Sequence, residues 1–166
     1  LDALGDSKAL SVRARDEAYA LIVERSLAWS VGWAYPCEID ELNILAASML
    51  AMKRAYSGLL SRLAASGLDT PEEIYVDGNR LPDLDLSPRE RRRAAVVKGD
   101  AIVPAIMAAS ILAKVSRDRM MERYDWLYPE YGYARHKGYP TAAHRAACRE
   151  LGPSPIQRLS FSYEKE

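Results

Sequence analysis

Two acidic residues, Asp77 and Asp118, are the side chains whose setting in the sequence best suits chemistry. Asp77 closes "EIYVD" (Glu73 to Asp77), a short β-branched and aromatic run that reads as a buried strand, and Gly78 and Asn79 follow at once. A carboxylate at the C-terminal end of an α/β strand lies where such sheets gather ligands. The glycine beside it lets another backbone or a phosphate approach closely. An Asp in that position is also an ordinary way to start a turn. Asp118 sits in "AKVSRDRMM", inside a helical pattern that places Met107, Ile111, Lys114 and Asp118 on one face. Two of those four are apolar, so the face turns partly inward. An inward carboxylate must pair, here with Lys114, or bind a metal. Carboxylates suit the hard cations Mg²⁺ and Mn²⁺, which prefer carboxylate oxygens and water. Metals so held can activate water and stabilise the leaving oxygen of a phosphodiester. Two carboxylates alone do not complete such a site.

The elements that must carry these residues follow from periodicity. Ser11 is placed to cap a helix with Ala14, Ala18, Leu21 and Ile22 on its inner face. The run Leu27 to Tyr35, rich in aromatic and β-branched residues, reads as a strand. A second helix carries Leu42, Leu45, Met49, Met52, Tyr56, Leu59 and Leu63 as an apolar stripe, its methionines filling core space. After the strand ending in Asp77 comes a loop holding the arginine run Arg89 to Arg93, then a strand in "AAVVKGD" ending at Gly99. One long helix is expected from Asp100 to near Trp126, with Pro104 in or near its first turn, and a last one around Thr141 to Leu151. This order is α/β with three strands.

The 166 residues, 49% hydrophobic, fit one globular domain with a sizeable core. No apolar run approaches the ~20 residues of a membrane span, and Cys37 and Cys148 have no CxxC partner, so the expectation is a cytoplasmic protein with two reduced thiols. The formal net charge of zero conceals an asymmetry: residues 1–85 carry 8 Lys+Arg against 14 Asp+Glu, whereas residues 86–158 carry 14 against 7. A basic second half suits a polyanion, although the arginine run by itself also fits a solvated loop.

"DSKAL" (Asp6 to Leu10), "EIDELNILAASMLAM" (Glu38 to Met52), "VDGN" (Val76 to Asn79), "VVKGD" (Val96 to Asp100), "AASILAKVSRD" (Ala108 to Asp118), "HKGYPT" (His136 to Thr141) and "GPSPIQRLSF" (Gly152 to Phe161) stand in the order seen in bacterial ribonuclease HII. The chain resembles that family over essentially its whole length. The resemblance implies a ribonuclease H-like α/β fold, a mixed sheet flanked by helices in one domain. It implies a monomeric endonuclease that cuts the RNA strand of RNA–DNA hybrids and incises 5′ of single ribonucleotides in duplex DNA. The implied cofactor is Mg²⁺ or Mn²⁺, acting as a metal pair and leaving 5′-phosphate and 3′-hydroxyl ends. Asp77 and Asp118 look like the third and fourth acids of the family's Asp-Glu-Asp-Asp metal site. Tyr139 looks like the tyrosine that stacks on the deoxyribose beside the ribonucleotide, and Lys8, Asn43 and Lys137 match positions that meet the nucleic acid.

Family members open with a strand carrying "DExGRG", which supplies the first two acids and the loop that reads the ribose hydroxyl. That motif is not in this sequence, and Asp2 and Asp6 stand in the wrong context to replace it. The expectation is therefore a domain lacking its first strand pair at the N-terminus. Its alternatives are a non-catalytic hybrid-binding module and an unstable fragment.

Overall fold

The computed structural model describes residues 10–85 and 92–161. Lys8 and the first part of the arginine run, Arg89 to Arg91, lie outside the described residues. The elements are α1 (Val12–Arg25), α2 (Pro36–Leu42), α3 (Ile44–Ala65), β1 (Glu73–Asp77), β2 (Arg92–Val96), α4 (Gly99–Ile102), α5 (Pro104–Leu127), a 3₁₀ turn (Pro129–Tyr131), α6 (Tyr133–His136) and α7 (Ala142–Leu151). They form two compact units, Leu1–Trp33 with Met49–Val115, and Ala34–Ser48 with Ser116–Glu166.

In the first unit, α1 starts where Ser11 Oγ accepts from the Ala14 amide at 3.2 Å. It buries Ala18 and Ile22 against Ile111, Leu112 and Val115 of α5. Leu21, expected inside, is 45% exposed, because a 14-residue helix with one buried stripe covers only part of its expected inner face. β1 and β2 pair in parallel, Asp77 opposite Val96, so the carboxyl ends of both strands open to the same side.

Four expectations are corrected. Leu27 to Tyr35 is not a strand: residues 28–34 are half-buried but join no ladder among the described residues. The segment lies on α3, where Arg54 donates to the Trp33 carbonyl at 2.7 Å and the Arg62 guanidinium covers the Trp29 ring. Strand-forming residues report a fit to a half-buried surface, and a helix provides one as well as a sheet does. Gly32 permits this approach, since a Cβ there would stand 2.0 Å from the Ala51 carbonyl oxygen. Among the described residues the sheet therefore has two strands rather than three.

The helix expected from Leu42 to Leu63 is broken at Asn43, which adopts a positive φ of 73°. Leu42 closes α2, and both Leu42 and Leu45 are exposed, whereas Tyr56 and Leu63 are buried as expected. The helix expected from Asp100 is likewise broken, at Val103. A residue before proline is pushed out of the helical region, and Val103 is extended (φ −110°, ψ 113°), leaving Pro104 to open α5. Arg92 and Arg93 belong to β2 rather than a loop, and the Arg92 guanidinium lies 6.0 Å from the centre of the Tyr75 ring.

Ile111 is fully buried. Ile111→Ala is expected to cost about 2–5 kcal/mol in urea unfolding. Gly32→Ala should also destabilise, because its new methyl meets backbone rather than a yielding side chain; unchanged midpoints for both would contradict this packing.

Candidate active site

Asp77 is held by its own neighbourhood. The parallel register brings the chain after β2 back beside the end of β1, and the Gly78 amide donates to the Val96 carbonyl at 3.0 Å. Lys98 then turns through a left-handed conformation (φ 57°), and the Gly99 amide donates to Asp77 Oδ1 at 2.8 Å. Gly99 is buried and without space for a side chain, because a Cβ would lie 2.5 Å from Ile106 Cδ1 and 3.3 Å from Val96 Cβ. Asp77 itself is exposed. One carboxylate oxygen is thus oriented by a backbone amide, on a side chain that solvent and solutes reach. Such a donor set suits a hard cation.

Asp118 lies in the second unit, half-buried on α5. The Lys137 ammonium lies 3.4 Å from the Asp118 carbonyl oxygen and pairs with Glu122 at 2.8 Å. Among the described residues no three His, Cys, Asp or Glu side chains gather closely enough to hold a metal. Asp77 belongs to the first unit and Asp118 to the second.

The turn that follows α6 is strongly determined. Lys137 (φ 51°) and Gly138 (φ 80°) are both left-handed, and the Arg117 guanidinium donates to the Lys137 carbonyl at 3.2 Å. The Tyr139 amide donates to the His136 carbonyl at 2.8 Å, and the Tyr139 side chain stands 59% exposed. A bulky aromatic ring projecting from a fixed turn is suited to stack on a sugar or base. Asn43, exposed, spends its side-chain oxygen on the start of α3, accepting from the amides of Leu45 and Ala46 at 3.0 and 3.1 Å.

The non-glycine residues with positive φ among those described are Asn43, Lys98 and Lys137. Such conformations cost energy and gather at functional sites. Two of the three were singled out from the sequence. Lys98 was missed, as were Gly99, Arg117, His136 and His144. The repeated Lys-Gly pair in "VVKGD" and "HKGYPT" is the signal that could have drawn attention to Lys98 and Gly99.

A family model for ribonuclease HII matches residues 2–164. The chain belongs to the ribonuclease HII family. It is 50% identical over 166 residues to a ribonuclease HII of Shewanella loihica, covering all of this chain and 75% of that protein. To a ribonuclease HII of Polynucleobacter necessarius it is 47% identical over 162 residues, covering 98% of this chain and 78% of that one. Among solved structures, the ribonuclease H2 of Pyrococcus horikoshii OT3 superposes with a TM-score of 0.72 at 25% identity, over 98% of this chain and 79% of that one. The expected α/β, ribonuclease H-like class is borne out, and the ribonuclease HII chain is an endoribonuclease by family. No helix among the described residues is long and apolar enough to cross a membrane.

Burial holds the His144 imidazole below its ordinary value of 6.5, with His136 and Arg158 adding to the effect and the hydrogen bond to the Tyr139 carbonyl opposing it. The unfolded chain therefore binds the extra proton first. Stability is full above about pH 6.5 and falls as pH drops from there toward the folded value. The melting temperature should decline between about pH 7 and pH 5, and His144→Asn should flatten that decline. A slope unaffected by the substitution would place its origin elsewhere.

Proposed function

We propose that this chain acts on RNA–DNA hybrids and on DNA duplexes containing single ribonucleotides, cutting 5′ of the ribonucleotide, with Asp77 and Asp118 as metal ligands. The observation that carries the reading is Asp77, exposed at the carboxyl end of the parallel pair with one oxygen fixed by the Gly99 amide. A carboxylate so held keeps its second oxygen for a cation and loses little freedom in binding it. Asp118, on the rigid helix α5, is a second ligand of the same chemical kind. When bound, Mg²⁺ or Mn²⁺ supplies an activated water and stabilises the leaving 3′ oxygen, which gives 5′-phosphate and 3′-hydroxyl ends. A complete site of this kind needs further carboxylates, which in the family come from the "DExGRG" strand.

Substrate recognition falls to other residues of the chain. Tyr139 packs its exposed ring on the deoxyribose next to the ribonucleotide and so registers the junction. Asn43 offers its amide nitrogen to the backbone, its oxygen being committed to α3. Lys137 adds positive charge two residues from Tyr139 while paired to Glu122, and Lys8 completes the contacts expected from the family pattern. The excess of Lys and Arg over residues 86–158 neutralises phosphates, so binding weakens steeply with salt.

The test is nicking of a duplex carrying one ribonucleotide, in Mg²⁺ and then Mn²⁺. This chain is compared with the same chain preceded by a "DExGRG" strand pair. Incision by the extended chain, lowered at least about 100-fold by Asp77→Asn or Asp118→Asn, is the expected result. Binding that persists in EDTA with no incision by either form would favour a hybrid-binding module instead.

A further inference from the structure

Beneath the exposed Tyr139 lies a buried polar cluster that metal binding and phosphate neutralisation leave unused. His136 is 7% exposed, His144 1%, Tyr133 2% and Ser154 4%. The two imidazoles stack with centroids 4.2 Å apart and planes 14° from parallel, and the Tyr133 ring meets both edge-on at 5.6 and 5.5 Å. Tyr133 and Ser154 join their hydroxyls at 2.5 Å.

The hydrogen bonds of the two imidazoles fix their protons. His144 Nδ1 lies 3.1 Å from the Tyr139 carbonyl oxygen, and a carbonyl only accepts, so Nδ1 carries the hydrogen. His136 Nε2 lies 2.7 Å from the Tyr131 carbonyl oxygen and must donate for the same reason, while its Nδ1 accepts from the Gly138 amide at 3.1 Å. Each ring thus has one tautomer, and each points a nitrogen at the backbone of the turn. The Tyr139 carbonyl also accepts from the Thr141 amide at 2.8 Å. The peptide group between the two left-handed residues is consequently tied at both ends, its Lys137 carbonyl by Arg117 and its Gly138 amide by His136, while His144 ties the Tyr139 carbonyl further along the turn.

We propose that His136 and His144 are positioning residues, a stacked pair that fixes the turn from Lys137 to Thr141 so that the Tyr139 ring meets the ribonucleotide–DNA junction in one preset orientation. This inference rests on the reading of Tyr139 as the junction contact. A turn with two left-handed residues and an exposed aromatic tip would otherwise sample several conformations, and ordering it on binding would weaken the contact. Buried, stacked and hydrogen-bonded to the turn, the pair orders it in advance. Such a network works as a unit, so loss of one bond should loosen the whole turn.

The experiment uses substitutions that keep or lose a single donor. Asn places a side-chain nitrogen near the position of Nδ1, whereas Gln places one near Nε2. Binding in EDTA is followed by fluorescence anisotropy for a duplex with one ribonucleotide and for the all-DNA duplex. The ratio of the two dissociation constants is compared among the unaltered chain, His144→Asn, His144→Gln, Tyr139→Ala and the double variant Tyr139→Ala/His144→Gln. We expect His144→Gln to lower the ribonucleotide preference about fivefold or more, His144→Asn to preserve it, and the glutamine effect to vanish in the Tyr139→Ala background. Amide exchange across residues 137–141 should quicken in His144→Gln and stay slow in His144→Asn. Equal effects of Asn and Gln, or losses that add to that of Tyr139→Ala, would overturn the proposal. The two levels fail differently. A preference unchanged by Tyr139→Ala removes the junction role of the tyrosine, and with it this function of the pair. Unchanged exchange in the turn removes the positioning itself.

Discussion

The first unit depends on the hydrogen bond between the Gly99 amide and Asp77 Oδ1. It closes the carboxyl end of the parallel pair and sets the start of α4. It also decides how the acidic side chain at the strand end is presented. Several features of the sequence exist to allow it. The register puts Asp77 opposite Val96, Lys98 takes a left-handed conformation to reverse the chain, and Gly99 omits the side chain that would strike Ile106. Remove any of these and the carboxylate loses the amide that orients it.

A different device operates in the second unit, where no strand is present among the described residues to fix geometry. Buried imidazoles, a tyrosine edge and a short hydroxyl contact fill that role, and each imidazole hydrogen-bonds the backbone of one turn. Buried polar groups are costly unless satisfied. A second clasp holds the end of the described chain. Asp40 accepts from the Leu159 amide, the Ser160 amide and the Ser160 hydroxyl, which keeps its carboxyl below the usual range. The histidines order irregular backbone through near neighbours in sequence, whereas Asp40 reaches partners more than a hundred residues away.

What could be read from the sequence follows the same division. Local signals were legible: the Ser11 cap, the strand ending in Asp77, Pro104 in the first turn of a helix and the final helix all stand as expected. Long-range geometry was not. The aromatic run Leu27 to Tyr35 has strand composition, yet nothing in it reveals that its partner is a helix. The breaks at Asn43 and Val103 interrupt otherwise continuous helical patterns, and the second could have been taken from Pro104 itself. Of the candidate site, Asp77, Asp118 and Tyr139 were identified by type and motif. The groups that hold them, Gly99, Arg117, His136 and His144, act through contacts about 20 residues away or through buried tautomers that spacing does not encode.

The central claim is that Asp77 and Asp118 bind the divalent cation. Its most direct test is Mn²⁺ binding, followed by loss of the free-ion electron paramagnetic resonance signal, in the chain preceded by a "DExGRG" strand pair. Asp77→Asn and Asp118→Asn should each weaken Mn²⁺ affinity about tenfold or more, with the exposed Asp83→Asn as a neutral control. Mn²⁺ affinity unchanged in Asp77→Asn would contradict the account, and leave the Gly99 bond as the end of a strand and nothing more.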